Sequence, residues 1–253
     1  TAVMPDAQGN IWYTSKLGII GVIDLEDFER GSYQKEGKCP RTYSHLIGEF
    51  GLKKKIEVFF GKKYDKPEDL EFYREGMTDT EYRKKFREYF MIDPMTREEI
   101  QNSFSIGPDG VYIVSNIGLY KLRFNEKTKK IEMDPKWLKT FDETDDLIYP
   151  NDGTQKKGQL NDGSGTTPTL MDDRFVIIAD NDHNQINMNI FSQEDGRLVS
   201  RHKLFDYNQS ACENSIVAYK NSLLIGNTYN YIDPFDENDT PGGINRFDFD
   251  PDS

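Results

Sequence analysis

The chain reads as an all-β protein, a β-propeller of four-stranded antiparallel blades with a charged, mostly helical insertion. Three observations predict this. A turn rich in Asp, Gly or Asn, then a strand, then a second strand recurs at 6–23, 108–124, 172–191 and 220–249. The 20 Gly, 14 Tyr and 16 Phe suit strands joined by tight turns. Segment 111–116 (VYIVSN) is apolar on both faces, as a strand covered on two sides requires. A repeated unit of this size buries its faces only by stacking, and radial stacking makes a propeller.

The elements follow in order. Blade one opens with a strand at 1–4, followed by the two strands of 6–23. Blade two is the clearest: 102–107, a turn at 108–110, 111–116, a turn at 117–118, 119–125, a turn at 126–129, a fourth strand near 130–133, then Trp137. Blade three runs 167–171, 174–180, 186–192 and 197–204, with turns at 172–173 and 193–196. Blade four gives 214–219, 222–229, a long loop and 243–250. The fourth unit stops before its outer strand, and an open ring exposes sheet edges, so the expectation is part of a larger ring completed by further blades or another chain. A closed four-bladed ring, or a five-bladed one using the insertion, is the alternative.

Residues 29–99 break the pattern. Segments 68–76 and 78–90 place Tyr82, Phe86, Tyr89 and Phe90 at helical spacing, with Thr78 or Asp79 as N-cap and Glu81 completing a capping box. This predicts a helical insertion between blades one and two, its aromatic stripe packed on the propeller. The basic residues of 53–85 alternate with acids and read as a solvated face.

Composition excludes several functions. A net charge of −12 and a pI near 4.8 argue against general nucleic-acid affinity. No apolar run reaches the roughly 18 residues that cross a bilayer. The first residue is Thr, which suits a chain preceded by a leader or further segment. Cys39 and Cys212 either pair in one disulfide or stand as two thiols. His45, His183 and His202 are too few and too scattered for a multi-His metal site, and no G-x-S-x-G elbow is present.

Segment 105–137 (SIGPDGVYIVSNIGLYKLRFNEKTKKIEMDPKW) resembles the blade repeat of quinoprotein alcohol dehydrogenase-like propellers: an Asp-Gly turn, a Val-Tyr strand, Gly-Leu-Tyr, a turn and a closing Trp. The turn at 125–129 (NEKTK) lacks that repeat's Gly, and 193–196 (QEDG) lacks its following Trp. The strings NSFSIGPDGVYIVS, GQLNDGSGTTPTLM, IIADND and ENSIVAYKNSLLIGN are similar to those of secreted bacterial propeller proteins carrying GSGTTPTL. The resemblance covers blades two to four well, blade one loosely and the insertion not at all. It implies a radial ring of blades and a secreted or periplasmic location. It does not carry over pyrroloquinoline quinone chemistry, because the vicinal cysteine pair of those enzymes is missing.

Strand direction sorts the loops. The start of each first strand and each second-to-third loop emerge on one face of a propeller. That face collects Asn102 and Ser103, 163–167 (GSGTT) with Thr166 and Thr167, Asn181, Asp182, His183 and Asn184, Glu213, Asn214 and Ser215, and 227–242 with Tyr229 and Tyr231. The connection 145–162, with Tyr149, Asn151, Asp152 and Asn161, joins them. The opposite face receives minimal turns at 108–110, 172–173 and 220–221. Long oxygen-rich loops on one face predict a binding site at the mouth of the channel.

The ligand-binding candidates are therefore Asn102, Thr166, Thr167, Asn181, Asp182, Glu213, Asn214 and Tyr229. Carboxylate and amide oxygens suit a hard cation such as calcium, for which Glu213, Asn214, Asn181 and Asn161 are the candidate ligands. They equally suit sugar hydroxyls, with a ring stacked on Tyr149, Tyr229 or Tyr231. His183 is the catalytic candidate, a single histidine near the useful pKa. Gly163-Ser164-Gly165 reads as a close approach between blades, since no helix follows to cradle an anion. The leading expectation is an exported propeller that binds a small ligand, glycan or partner without turnover. A calcium-assisted, lactonase-like hydrolase is the alternative, and a quinoprotein-like oxidoreductase the second alternative.

Overall fold

The computed structural model describes residues 2–50, 76, 98–140, 156–159, 163–182, 184–231, 241 and 243–250. These form four antiparallel sheets in sequence order, the propeller architecture. Blade one is β1 (Ala2–Pro5), β2 (Ile11–Thr14), β3 (Ile19–Ile23) and β4 (Thr42–Leu46). Blade two is β5 (Ser105–Gly107), β6 (Gly110–Val114), β7 (Gly118–Asn125) and β8 (Lys130–Met133), with the short β9 (Lys139–Thr140) also on β7. Blade three is β10 (Thr169–Met171), β11 (Phe175–Ala179), β12 (Asn187–Ser192) and β13 (Leu198–Lys203). Blade four has three described strands, β14 (Val217–Tyr219), β15 (Ser222–Gly226) and β16 (Ile244–Asp248).

One boundary differs from the sequence reading. Thr42–Leu46 pairs with β3 from Ile19↔Leu46 to Ile23↔Thr42 and completes blade one, although it falls inside the stretch 29–99 read as insertion. Only two short helices, α1 (Leu25–Arg30) and α2 (Ser32–Lys35), separate it from β3. The first is capped by Asp24, whose carboxylate accepts from Asp27 N at 3.1 Å. Apart from Gly76, the helices expected over 68–76 and 78–90 lie outside the described residues.

Side-chain alternation explains the stacking. In β6, Val111 and Ile113 face blade one, whereas Tyr112 and Val114 face blade three. In β11, Val176 and Ile178 face blade two, and Phe175, Ile177 and Ala179 face blade four. Each central strand thus feeds two cores, which is why its sequence is apolar without interruption. In β2 of blade one, buried Trp12 and Thr14 alternate with partly exposed Ile11 and Tyr13, whereas Ile20, Gly21 and Val22 of β3 are all buried, Gly21 beneath the Tyr13 ring.

The junction of blades two and three carries a polar bolt. Lys121, 1% exposed, reaches Asp109 Oδ2 at 2.6 Å and donates to Gln193 O at 2.9 Å, beneath the rings of Tyr112 and Trp137. Gly196 of the blade-three turn packs on Trp137: a Cβ there would lie 3.2 Å from the indole and 2.9 Å from Lys136 O, and its φ is +70°. The Trp of one blade and the Gly of the next thus make one joint, although neither blade's turn is complete alone.

The inner strands are stitched by hydroxyls. Ser105 Oγ donates to Pro168 O, and one blade on, Thr169 Oγ1 donates to Ile216 O at 2.5 Å. Short inner strands with such bonds satisfy edge carbonyls without a ladder partner. On the plain face the turns are minimal, as at Asp172–Asp173, where φ values of 53° and 51° mark a type I′ hairpin.

Candidate functional site

The connections of blades two, three and four meet on the loop-rich face. Asn102 Nδ2 donates to Gly165 O and to Glu213 O, the latter at 3.0 Å, and so binds three blades with one amide. Ser103 N donates to Thr167 Oγ1 at 3.2 Å, and Thr167 N donates to Ser215 Oγ at 3.1 Å. Asn181 Nδ2 donates to Cys212 O at 3.1 Å and to Glu213 Oε1 at 3.3 Å, while its Oδ1 accepts from Cys212 N at 3.0 Å. Gly165 permits this closure, since a Cβ on it would lie 1.9 Å from Glu213 Oε2.

A fourth segment crosses the same face. Residues 156–159 turn through Gln159 N to Lys156 O at 3.0 Å, and Gln159 Oε1 accepts from Lys156 N at 3.0 Å. The turn lies on blade four: Asn230 N donates to Lys157 O at 3.1 Å, and Thr228 Oγ1 donates to Gly158 O at 3.3 Å. Gly158, at φ +81°, brings its Cα against the Thr228 carbonyl so closely that no Cβ fits. From this turn Lys156 Nζ reaches across to Asp182 O of blade three.

Charges gather around that ammonium. Burial brings the Lys156 pKa down from 10.5 to about 8, although Asp180, Asp182, Cys212 and Glu213 all pull the other way. The Cys212 thiol is pushed up to about 12, chiefly by burial. Asp180 is 3% exposed and held above the usual carboxylate range by burial, against the donors around it. Those donors include Asn187 N at 2.8 Å, Asn187 Nδ2 at 3.1 Å, Asn189 Nδ2 at 2.9 Å and Asp182 N at 3.2 Å. Arg201 lies 3.5 Å from both Asp180 and Asp182 and ties the buried acid to the half-exposed one.

The predicted residues divide into two groups. Asn102, Thr167, Asp182, Glu213 and Tyr229 are partly exposed, and Asn214 is exposed, on this face. Thr166 and Asn181 are fully buried. Thr166 Oγ1 serves Ser164 at 2.9 Å and Ala179 N at 3.4 Å, so these two residues build the site rather than line it. Strand direction places a residue on a face; the hydrogen bonds to neighbouring loops then decide which way its side chain turns. His183, Asn161, Tyr149, Asn151 and Asp152 lie outside the described residues.

Of the four candidate calcium ligands, Glu213, Asn214 and Asn181 lie among the described residues, and Asn161 lies outside them. Asn181 turns its oxygen to Cys212 N and offers Glu213 its amino end. Among the described residues, no three His, Cys, Asp or Glu side chains gather as a metal site. Cys39 is exposed, Cys212 is buried, and both are free thiols.

Sequence reasoning missed Lys156. The signal was present, because Lys156 and Lys157 are the only cations in the connection 145–162 that was assigned to this face. It also missed Asp180, Asn187, Asn189 and Arg201, which lie on or beside strands and read as alternating sheet positions.

No protein-family model matches the chain, and no curated protein matches it. Among solved structures, a luciferin-regenerating enzyme is similar over 97% of this chain and 60% of its own, with 12% identity and a TM-score of 0.42. This chain thus spans about 60% of that protein's length.

Proposed function

We propose that this chain is a binding propeller that holds a small polyhydroxylated ligand, a sugar or sugar acid, on its loop-rich face. One observation carries the reading: Lys156 reaches across the face to the Asp182 carbonyl, among the carboxylates of Asp180, Asp182 and Glu213. A half-buried ammonium donates hydrogen bonds, the half-exposed carboxylates accept them, and a hydroxylated ring presents both kinds of partner at once. Tyr229, partly exposed on the adjoining turn, supplies an apolar surface for a sugar ring. Oxygen ligands held by loop-to-loop bonds are pre-organised, which lowers the ordering cost of binding.

The test is calorimetry with a panel of monosaccharides, alditols and uronic acids on wild type, Lys156→Met and Asp182→Asn. At least one compound binds the wild type, and each substitution weakens it about tenfold or more, roughly 1.4 kcal/mol. A panel without a binder, or binding indifferent to both substitutions, removes the reading.

A metal-assisted hydrolase is the second reading, favoured by the Glu213 carboxylate drawn in against Gly165 at the mouth. Calcium titration separates the two. Heat that disappears in Glu213→Ala supports the hydrolase; no heat, or heat the substitution leaves unchanged, discards it.

A further inference from the structure

Two tyrosines stand out from the rim of blades three and four. Tyr207 is 60% exposed and Tyr231 53%. Each belongs to a hydrogen-bonded turn: Gln209 N donates to Asp206 O at 3.2 Å, and Tyr231 N donates to Thr228 O at 3.1 Å. Among the described residues neither ring meets another aromatic, and neither hydroxyl has a hydrogen-bond partner.

Their supports are rigid in a way that ordinary surface loops are not. Phe205, two residues before Tyr207, has φ 58°, a conformation that costs a residue with a bulky side chain on the order of 1–2 kcal/mol. It persists because the surroundings over-determine it. Phe205 N donates to Asn245 Oδ1 at 2.8 Å, Phe205 O accepts from Gln185 Nε2 at 2.6 Å, and the ring packs into the core between blades three and four. Asn208, on the other side of Tyr207, has φ 58° and donates its N–H to Asn184 O at 2.6 Å.

One side chain joins the two turns. Asn227 Nδ2 donates to Gln209 O at 2.8 Å and Pro241 O at 3.1 Å, while its Oδ1 accepts from Ala211 N at 3.1 Å and Tyr229 N at 3.0 Å. All the hydrogen-bonding capacity of that amide is committed to fixing the turn of Tyr207 relative to the turn of Tyr229 and Tyr231. Strained backbone that its neighbours hold in place concentrates at functional positions, and here the strain supports an exposed aromatic ring.

We infer that Tyr207 and Tyr231 form an aromatic rim that extends the binding face to an oligosaccharide, with one sugar unit at Lys156 and Asp182 and further units stacked on the tyrosines. The inference rests on the ligand reading above. A saccharide fits better than a protein partner, because the turn residues next to the two tyrosines in the chain, Asp206, Asn208, Gln209 and Asn230, are polar, whereas a protein interface has a contiguous apolar centre. Ring faces receive the C–H face of a sugar, and rigid tyrosines lose little entropy on contact.

The experiment measures, by calorimetry on the full chain, β-1,4-linked hexaoses of glucose, xylose and N-acetylglucosamine and the α-1,4-linked hexaose of glucose, each beside its monosaccharide. Wild type, Tyr207→Ala, Tyr231→Ala and Tyr207→Phe are compared. At least one hexaose binds wild type about tenfold tighter than its monosaccharide, each Ala variant loses most of that gain, and the Phe variant keeps it. Monosaccharide affinity stays unchanged in Tyr207→Ala. A hexaose no tighter than its monosaccharide, or Ala variants that lose nothing, overturns the rim while leaving the ligand reading intact. Absence of binding by every monosaccharide and hexaose overturns both. Self-association abolished by Tyr207→Ala, seen by sedimentation without any sugar effect, assigns the rim to protein contact and also overturns the proposal.

Discussion

Asn181 and Glu213 are locked head to side: the Asn181 amino group lies 3.3 Å from Glu213 Oε1, while its oxygen accepts from the N–H of Cys212. One amide thus positions the carboxylate that faces Gly165 and joins the second-to-third loop of blade three to the entry of blade four.

Replacing Asn181 with Ala removes its bonds to Cys212 N, Cys212 O and Glu213 Oε1, the two Cys212 bonds in a buried setting. The expected loss is about 2–3 kcal/mol of unfolding free energy, measured by urea denaturation. Asn181→Asp places a second carboxylate beside Glu213 and is expected to destabilise further as pH rises from 3 to 6.

Gly165 is required for space rather than for backbone freedom. Gly165→Ala forces its methyl group onto Glu213 Oε2 and is expected to cost about 1–3 kcal/mol. Glu213→Ala in the same background removes the clash, so the double variant is expected to recover most of that loss. A double-mutant cycle by denaturation reads the coupling.

Lys156 and Cys212 give the fold opposing alkaline responses. Lys156 falls from 10.5 to about 8 on folding, so the unfolded chain holds the extra proton and stability rises with pH between about 8 and about 10.5. Cys212 rises from 9.0 to about 12, so the unfolded chain loses its proton first and stability falls between about 9 and about 12. Each full proton of difference corresponds to about 1.4 kcal/mol per pH unit. Lys156→Met is expected to abolish the rise, and Cys212→Ser the fall, in denaturation curves taken from pH 7 to 11.

At the junction of blades two and three, Lys121→Ala removes a buried ammonium and leaves Gln193 O and Tyr112 over a void. The expected cost is about 2–3 kcal/mol. Lys121→Met keeps the stem packed under Trp137 and is expected to cost less than half of that, a comparison that thermal or urea unfolding makes directly.

The parts legible in the sequence were those with a short-range signal. The hairpin Gly110–Val114 with Gly118–Asn125 announces itself through turn residues and doubly apolar strands, because both faces are buried. Thr42–Leu46 did not, since an outer strand with Thr42 and Ser44 exposed on one side lacks that density, and two helical turns separate it from its partner. Strand direction placed Asn102, Asp182, Glu213 and Tyr229 on one face, because chain reversal alone determines that. It could not distinguish Asn181 and Thr166, turned inward, from Asp182, turned partly outward: that depends on contacts between loops far apart in sequence. Lys156 escaped notice for the same reason. Its partner Asp182 lies 26 residues away, and only the docking of Gly158 on Thr228 brings the two together.

If the loop-rich face, and not the plain one, receives the ligand, amide hydrogen exchange with and without the tightest compound of the sugar panel shows where it sits. Exchange is expected to slow at 156–159, 181–182, 213–215 and 228–231 and to stay unchanged at the plain-face turns 108–110, 172–173 and 220–221. Protection confined to those plain-face turns would contradict that placement.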